Sequence, residues 1–150
     1  FWPAEGSMRA FSRVMSSPPM KWAILRRNFF VERIIPAGTA AELSEAEMDH
    51  YRGVQPTPEA RAGVAEFPRQ IVAAGPWLAE LERAVERELS RKRVLITWPM
   101  RDIAFRAPKL LPRMRSAFRD VEVVGLRKAR HYFQEDAPED VVAAVRGRFG

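Results

Sequence analysis

The sequence predicts an α/β fold with an incomplete parallel sheet, and three observations point there. Apolar residues recur at three- and four-residue steps through the first two-thirds of the chain, as amphipathic helices require. The last third instead holds two short β-rich runs, "RVLITW" and "DVEVVGL", each followed by a helical segment. Strand–helix–strand–helix order is the signature of a parallel α/β layer. Two strands alone leave edges and faces open to water, so the sheet needs further strands. With Phe1 rather than Met at the start, this predicts a piece of a longer chain.

Taken in order, Met8, Phe11, Val14 and Met15 form the first helical stripe, and Pro18 and Pro19 interrupt it. A second stripe follows at Trp22, Ile24 and Leu25, and "PAGTA" signals a turn. Ser44 with Glu47 three residues later forms a capping box for a short helix. Thr57 repeats the pattern, with Pro58 at the first helical position. Pro68 is expected to start another short piece, and "PWLAELERAVERELS" reads as an amphipathic helix. The first strand is then expected at 93–98, a helix from about Lys109 to Phe118, the second strand over "DVEVVGL", and a closing helix from about Pro138 to Phe149.

An apolar content of 47% suits a packed domain rather than a disordered one. The chain contains no cysteine, which excludes disulfides and thiolate metal sites and fits a reducing, cytoplasmic compartment. No apolar run approaches the ~18 residues of a membrane span. The net charge of +6 is unevenly placed: residues 91–150 carry 14 Lys/Arg against 7 Asp/Glu, whereas 1–90 are nearly balanced. The arginines are scattered and no aromatic ladder interleaves them, so they read as solvated faces rather than a nucleic-acid footprint.

In open parallel sheets, functional groups collect beyond the carboxyl ends of the strands. Asp102 lies four residues past the first strand, and His131 lies five past the second. Adjacent strands run ~4.8 Å apart, so loops leaving the same edge can bring carboxylate to imidazole. Acid before histidine is also the chain order of the α/β-hydrolase triad, whose nucleophile comes earlier. An Asp after a strand can equally be a turn or cap residue, and a loop His can be merely exposed. Spacing leaves both readings open. His50, on the helix capped by Ser44, reads as a surface residue, and Glu47, Asp49 and His50 lack metal-ligand spacing.

"FWPAEGSMRAFSRVMSSPPMKWAILRRNFFVERIIPAG" resembles the junction and first cap helices of the haloalkane dehalogenases. "LSEAEMDHYRGVQPTPEAR" and "EFPRQIVAAGPWLAELE" resemble the rest of that cap. "LITWPMRDIAF" and "ARHYFQEDAPEDV" resemble the loops that carry the family's triad acid and base, in the manner of its third subfamily. The resemblance implies the C-terminal part of an α/β-hydrolase fold: a helical cap over residues 1–90, then the last strands and helices of the main domain over 91–150. It implies Asp102 as triad acid and His131 as base. It places Phe30 and Ile34 in the cap, and Ile103 beside the acid, as substrate-pocket residues, with core packing as the alternative for all three. Pro99 stands where relatives usually have Gly.

The resemblance further implies a small halogenated hydrocarbon substrate, water, a halide product and no cofactor or metal. In that family an aspartate on a nucleophile elbow displaces halide and becomes an alkyl ester, which histidine-activated water hydrolyses. No G-x-S/D-x-G-like elbow occurs in this sequence, and its Trp residues at 2, 22, 77 and 98 fall outside the halide-binding position. Nucleophile, halide site and oxyanion hole are therefore expected from an N-terminal half of the same fold, and this chain alone is expected to be inactive. Other readings are an epoxide hydrolase, disfavoured because Tyr51 is the only cap tyrosine, a serine esterase, and a non-catalytic basic module. No nucleic-acid or membrane partner is expected.

Overall fold

The computed structural model describes Ala4 and residues 6–150; the opening Phe-Trp-Pro of the junction motif, with Trp2, lies outside the described residues. The chain divides into two compact units. One runs to Pro36 and resumes over Leu43–Glu82; the other takes Ala37–Glu42 and Arg83–Gly150.

The first unit is helical. Helix α1 (Ser7–Met15) is followed by α2 (Pro18–Arg27), where Pro18 sits at a helix start that needs no N–H. Asn28 ends α2 in the left-handed region at φ 48°, a conformation its short polar side chain tolerates, and its N–H bonds to the carbonyl of Ala23. A π-helical stretch, Phe30–Ile34, then runs into the short α3 (Ile35–Gly38). Helix α4 (Glu45–Val54) opens on the expected capping box: Ser44 Oγ accepts from the N–H of Glu47, and the Glu47 carboxylate accepts from the N–H of Ser44. Arg52 of α4 grips Glu32 of the π stretch through two bonds of 2.9 and 3.1 Å, and also binds Asp49 and Glu45. That guanidinium holds the Glu32 carboxyl below its usual range.

Two expectations fail in the next segment. Thr57 Oγ1 does accept the N–H of Ala60, yet residues 58–61 form turns and α5 begins only at Ala62 (Ala62–Ala73). Arg61 explains the delay. Its guanidinium binds the carbonyls of Leu25, Gln55 and Pro56, so the chain is held to the end of α2 before it can coil. Pro68 starts nothing. It lies inside α5, fully buried, where an interior proline ordinarily costs about 3 kcal/mol. Helices α1 and α2 both pack on α5, and Met15, Ile24 and Ala65 form the core, with Phe11, Met20, Leu25, Phe29, Phe30 and Val64 around it. The second stripe is thus carried by Ile24 and Leu25, whereas Trp22 faces outward beneath the guanidinium of Arg27.

Helix α6 (Gly75–Glu88) carries the chain from the first unit into the second. There β1 (Arg93–Pro99) pairs in parallel with β2 (Asp120–Leu126), from Arg93 opposite Asp120 to Pro99 opposite Leu126. The crossover is α7 (Ala107–Ser116), which starts two residues before the expected point. A short α8 (Phe133–Asp136) precedes α9 (Pro138–Phe149), and α9 packs on both strands. Arg148, near the end of α9, binds the carboxylate and carbonyl of Asp120, and Arg93 reaches the carbonyl of Arg148. Those contacts fix α9 antiparallel to the strands, ending where the strands begin. Ile96, Pro99 and Leu126 are the buried strand residues; the other strand positions are half-covered or open, unlike a parallel sheet covered on both faces.

Two residues of the second stripe give a direct test of this core. Ile24 is 1% exposed, so Ile24→Ala should lower unfolding free energy by about 2–5 kcal/mol in urea denaturation. Trp22→Ala should change it by no more than about 0.5 kcal/mol. Equal losses at both positions would contradict the packing described.

Candidate active site

The register of the sheet decides where the loops leave. Pro99 and Leu126 end their strands side by side. The next residues continue the ladder irregularly: the N–H of Met100 donates to Leu126 O, that of Arg101 to Ala129 O, and that of Ala129 back to Leu126 O, at 3.1–3.2 Å. The loops after β1 and β2 are therefore stitched together before either diverges.

Asp102 turns inward from the first loop. Its N–H bonds to Pro99 O at 3.2 Å, closing a turn. One carboxylate oxygen, Oδ1, accepts from the N–H groups of Ala104 and Phe105 at 2.7 and 3.0 Å. The other, Oδ2, lies 2.9 Å from Nδ1 of His131. The Asp102 side chain is 2% exposed, that of His131 37%. Asp102 organises its own turn and also meets the imidazole. A carboxylate only accepts, so Nδ1 is the donor, and in the neutral ring Nε2 carries the lone pair.

Two aromatic rings bracket the imidazole. Phe105 lies 5.3 Å from it between ring centres, tilted by 31°, and Tyr132 stands edge-on at 5.1 Å. The Asp102 carboxylate places Phe105 by accepting its N–H. Tyr132 is placed from the last residue of α3, its N–H donating to Gly38 O at 3.0 Å. At Gly38 any side chain would force the Tyr132 ring to shift, because a Cβ there would lie 2.6 Å from it. Burial pushes the Tyr132 hydroxyl above its usual range.

Asp136 completes the anchoring of the His131 loop. Its Oδ2 accepts the N–H of Arg130 at 2.7 Å, and its Oδ1 accepts those of Ala40 and Ala41 at 2.7 and 3.0 Å. The Arg130 guanidinium donates to Thr39 O at 3.2 Å. Burial opposes charge on Asp136, but the N–H donors of Arg130, Ala41 and Ala40, with the Arg130 charge, outweigh it and hold the carboxyl below its usual range.

No family model matches the chain. Over 151 residues it is 56% identical to haloalkane dehalogenase 2 of Mycobacterium tuberculosis, a match covering 100% of the chain and 53% of that protein. It is 29% identical over 149 residues to a haloalkane dehalogenase of Bradyrhizobium diazoefficiens, covering 96% of the chain and 47% of the relative. The crystal structure of haloalkane dehalogenase DbeA from Bradyrhizobium elkani superimposes with a TM-score of 0.81 at 26% identity, covering 96% of this chain and 51% of that one. Over its whole length the chain is similar to haloalkane dehalogenases. It spans about half the length of the curated relatives it matches, and its fold is that of the C-terminal part of an α/β hydrolase.

The remaining residues singled out in the sequence are dispersed. Ile103 follows the buried acid yet is 90% exposed. Phe30 packs on the Met15–Ile24–Ala65 core, and Ile34 is half-buried at the end of the π stretch, both in the first unit. His50 is exposed on α4. Among the described residues no cluster of His, Asp or Glu could hold a metal, and no helix is long and apolar enough to cross a membrane. An open apolar hollow of about 680 Å³ lies along α7, between Met100, Leu111 and Arg115, and does not include His131 or Asp102. Sequence reasoning missed Phe105, Gly38, the Ala40–Ala41 amides and Asp136. Only the "QED" after the histidine carried a visible signal.

The Asp136 contacts have a pH signature. A depressed folded pKa means that its hydrogen bonds stabilise the fold above the unfolded Asp value of ~3.9 and are lost as pH falls through the lower folded value. The amide resonances of Ala40, Ala41 and Arg130 should therefore shift together in an NMR titration, with one midpoint below ~3.9. Separate midpoints, or a common one at or above that value, would contradict the shared carboxylate.

Proposed function

We propose that this chain carries the acid–base half of a haloalkane dehalogenase site, with Asp102 as triad acid and His131 as base. The 2.9 Å contact between Asp102 Oδ2 and His131 Nδ1 is the observation that supports this most directly. Identity of 56% to a named haloalkane dehalogenase supports the reaction class. Residues 1–90 are assigned to the helical cap with its junctions, and 91–150 to the end of the main domain.

In this reading the substrate is a small halogenated hydrocarbon. A carboxylate in the part of the protein outside this chain displaces halide from carbon, giving an alkyl ester and free halide. His131 Nε2 then removes a proton from water as the water oxygen attacks the ester carbonyl. Collapse of the tetrahedral adduct releases the alcohol and restores the carboxylate, and the proton passes from the imidazolium to solvent. Asp102 holds the productive tautomer and stabilises the transient imidazolium, which burial makes more effective than it would be in water. The fixed donors to Oδ1 keep that carboxylate from turning away. Ile103 is assigned as a substrate contact beside the acid, and Phe30 and Ile34 as substrate contacts of the cap.

The reading is tested in the complete protein that contains this chain. With 1,2-dibromoethane, His131→Ala should release one equivalent of bromide per site and stop, leaving a covalent adduct visible by intact-protein mass spectrometry. Asp102→Asn should slow ester hydrolysis by about 10²–10⁴-fold. Multiple turnovers at an undiminished rate by the His131 variant would overturn the assignment.

A further inference from the structure

His131 is held at its ring by Asp102, but a ring contact cannot by itself fix where the loop backbone lies. Residues 130 and 132, on either side of the histidine, are both tied to the end of α3 and the residues just after it. The N–H of Tyr132 bonds to Gly38 O at 3.0 Å, the Arg130 guanidinium bonds to Thr39 O at 3.2 Å, and the N–H of Arg130 bonds to Asp136, whose other oxygen takes the N–H groups of Ala40 and Ala41. We propose that Asp136 is a positioning residue for His131, its carboxylate clamping the backbone before the histidine to the Thr39–Ala41 segment so that the imidazole stays in line with Asp102 and its target.

Local sequence offers Asp136 a different role. It stands at the end of α8 and just ahead of α9, where a carboxylate would favour the α9 N-terminus. Its oxygens do not serve that end. All of its hydrogen bonds go to backbone N–H groups of Arg130, Ala40 and Ala41, two of them more than 90 positions away in sequence. Bonds from a carboxylate to backbone N–H groups are shorter and about twice as strong as neutral ones, and those to Arg130 and Ala40, at 2.7 Å, are at the short end. Gly38 belongs to the same device. A Cβ there would strike the Tyr132 ring at 2.6 Å and sit 3.5 Å from the Cβ of His131. Misplacement of a reacting group by about 1 Å can cost 10²-fold in rate.

The inference rests on His131 being the base, and the experiment separates the two. Asp136→Asn conserves size but turns an amide NH₂ either to the N–H of Arg130 or to those of Ala40 and Ala41, setting donor against donor. In the complete protein, rapid-quench kinetics should find the halide burst unchanged and ester hydrolysis slowed by about 10–10²-fold, with the ester accumulating. Gly38→Ala should reproduce this pattern from the other side of the clamp. In parallel, the His131 Nδ1 proton should exchange faster with solvent in both variants, a readout that does not depend on the chemistry. Equal slowing of burst and hydrolysis, or unchanged hydrolysis with unchanged proton exchange, would overturn the positioning role. Faster proton exchange with unchanged hydrolysis, together with free turnover by His131→Ala, would instead overturn the base assignment and leave the clamp standing.

Discussion

The in-register parallel pairing of β1 with β2 is the constraint on which the second unit depends. Pairing Arg93 with Asp120 at one end places Pro99 beside Leu126 at the other, and both loops must then leave from the same edge. A slip of one residue would turn every following side chain to the opposite face and part Asp102 from His131. The pairing is reinforced at both ends. Arg148 and Arg93 bind across the strand starts, and the bonds of Met100, Arg101 and Ala129 lace the strand ends. The sheet is small, but its register is fixed from both directions.

At the site, buried charge is tolerated because it is fully hydrogen-bonded. Removing a carboxylate from water is costly unless its oxygens find donors. Asp102 finds two N–H groups on one oxygen and the imidazole on the other. The turn that satisfies it also brings Phe105 against the ring of His131. One side chain thus orders the loop, the aromatic wall and the histidine, so a turn role for Asp102 does not exclude its contact with the imidazole. Asp136 follows the same logic one step further out, satisfying backbone donors from two separate parts of the chain.

Legibility in the sequence follows the range of the interaction. The capping box at Ser44, the bounds of "DVEVVGL" and the closing helix from Pro138 were readable because cap chemistry, β-branched runs and N-terminal prolines act within a few residues. The segment from Thr57 to Pro68 misled for the opposite reason. Arg61 is drawn 36 positions back to Leu25 O, and Pro68 is held inside a helix by burial against the core, so tertiary contacts override the local proline signals. The π-helical stretch at Phe30–Ile34 has no distinct periodicity to announce it, and the ion pair of Glu32 with Arg52 that fastens it is 20 residues long in sequence.

By itself the sequence determined the fold class, the two strands with the longer helices that follow them, and the pair Asp102 and His131 as groups that could meet. It could do so because strand-end position and triad order are properties of chain order alone. The tertiary structure alone decided that Nδ1 faces Oδ2, that Phe105 and Tyr132 bracket the imidazole, and that Gly38 and Ala40–Ala41 reach the histidine loop through Asp136. The contacts of Gly38, Ala40 and Ala41 join residues more than 90 positions apart and that of Asp102 with His131 spans 29, and no local propensity encodes which backbone amides a carboxylate will find once the chain has folded.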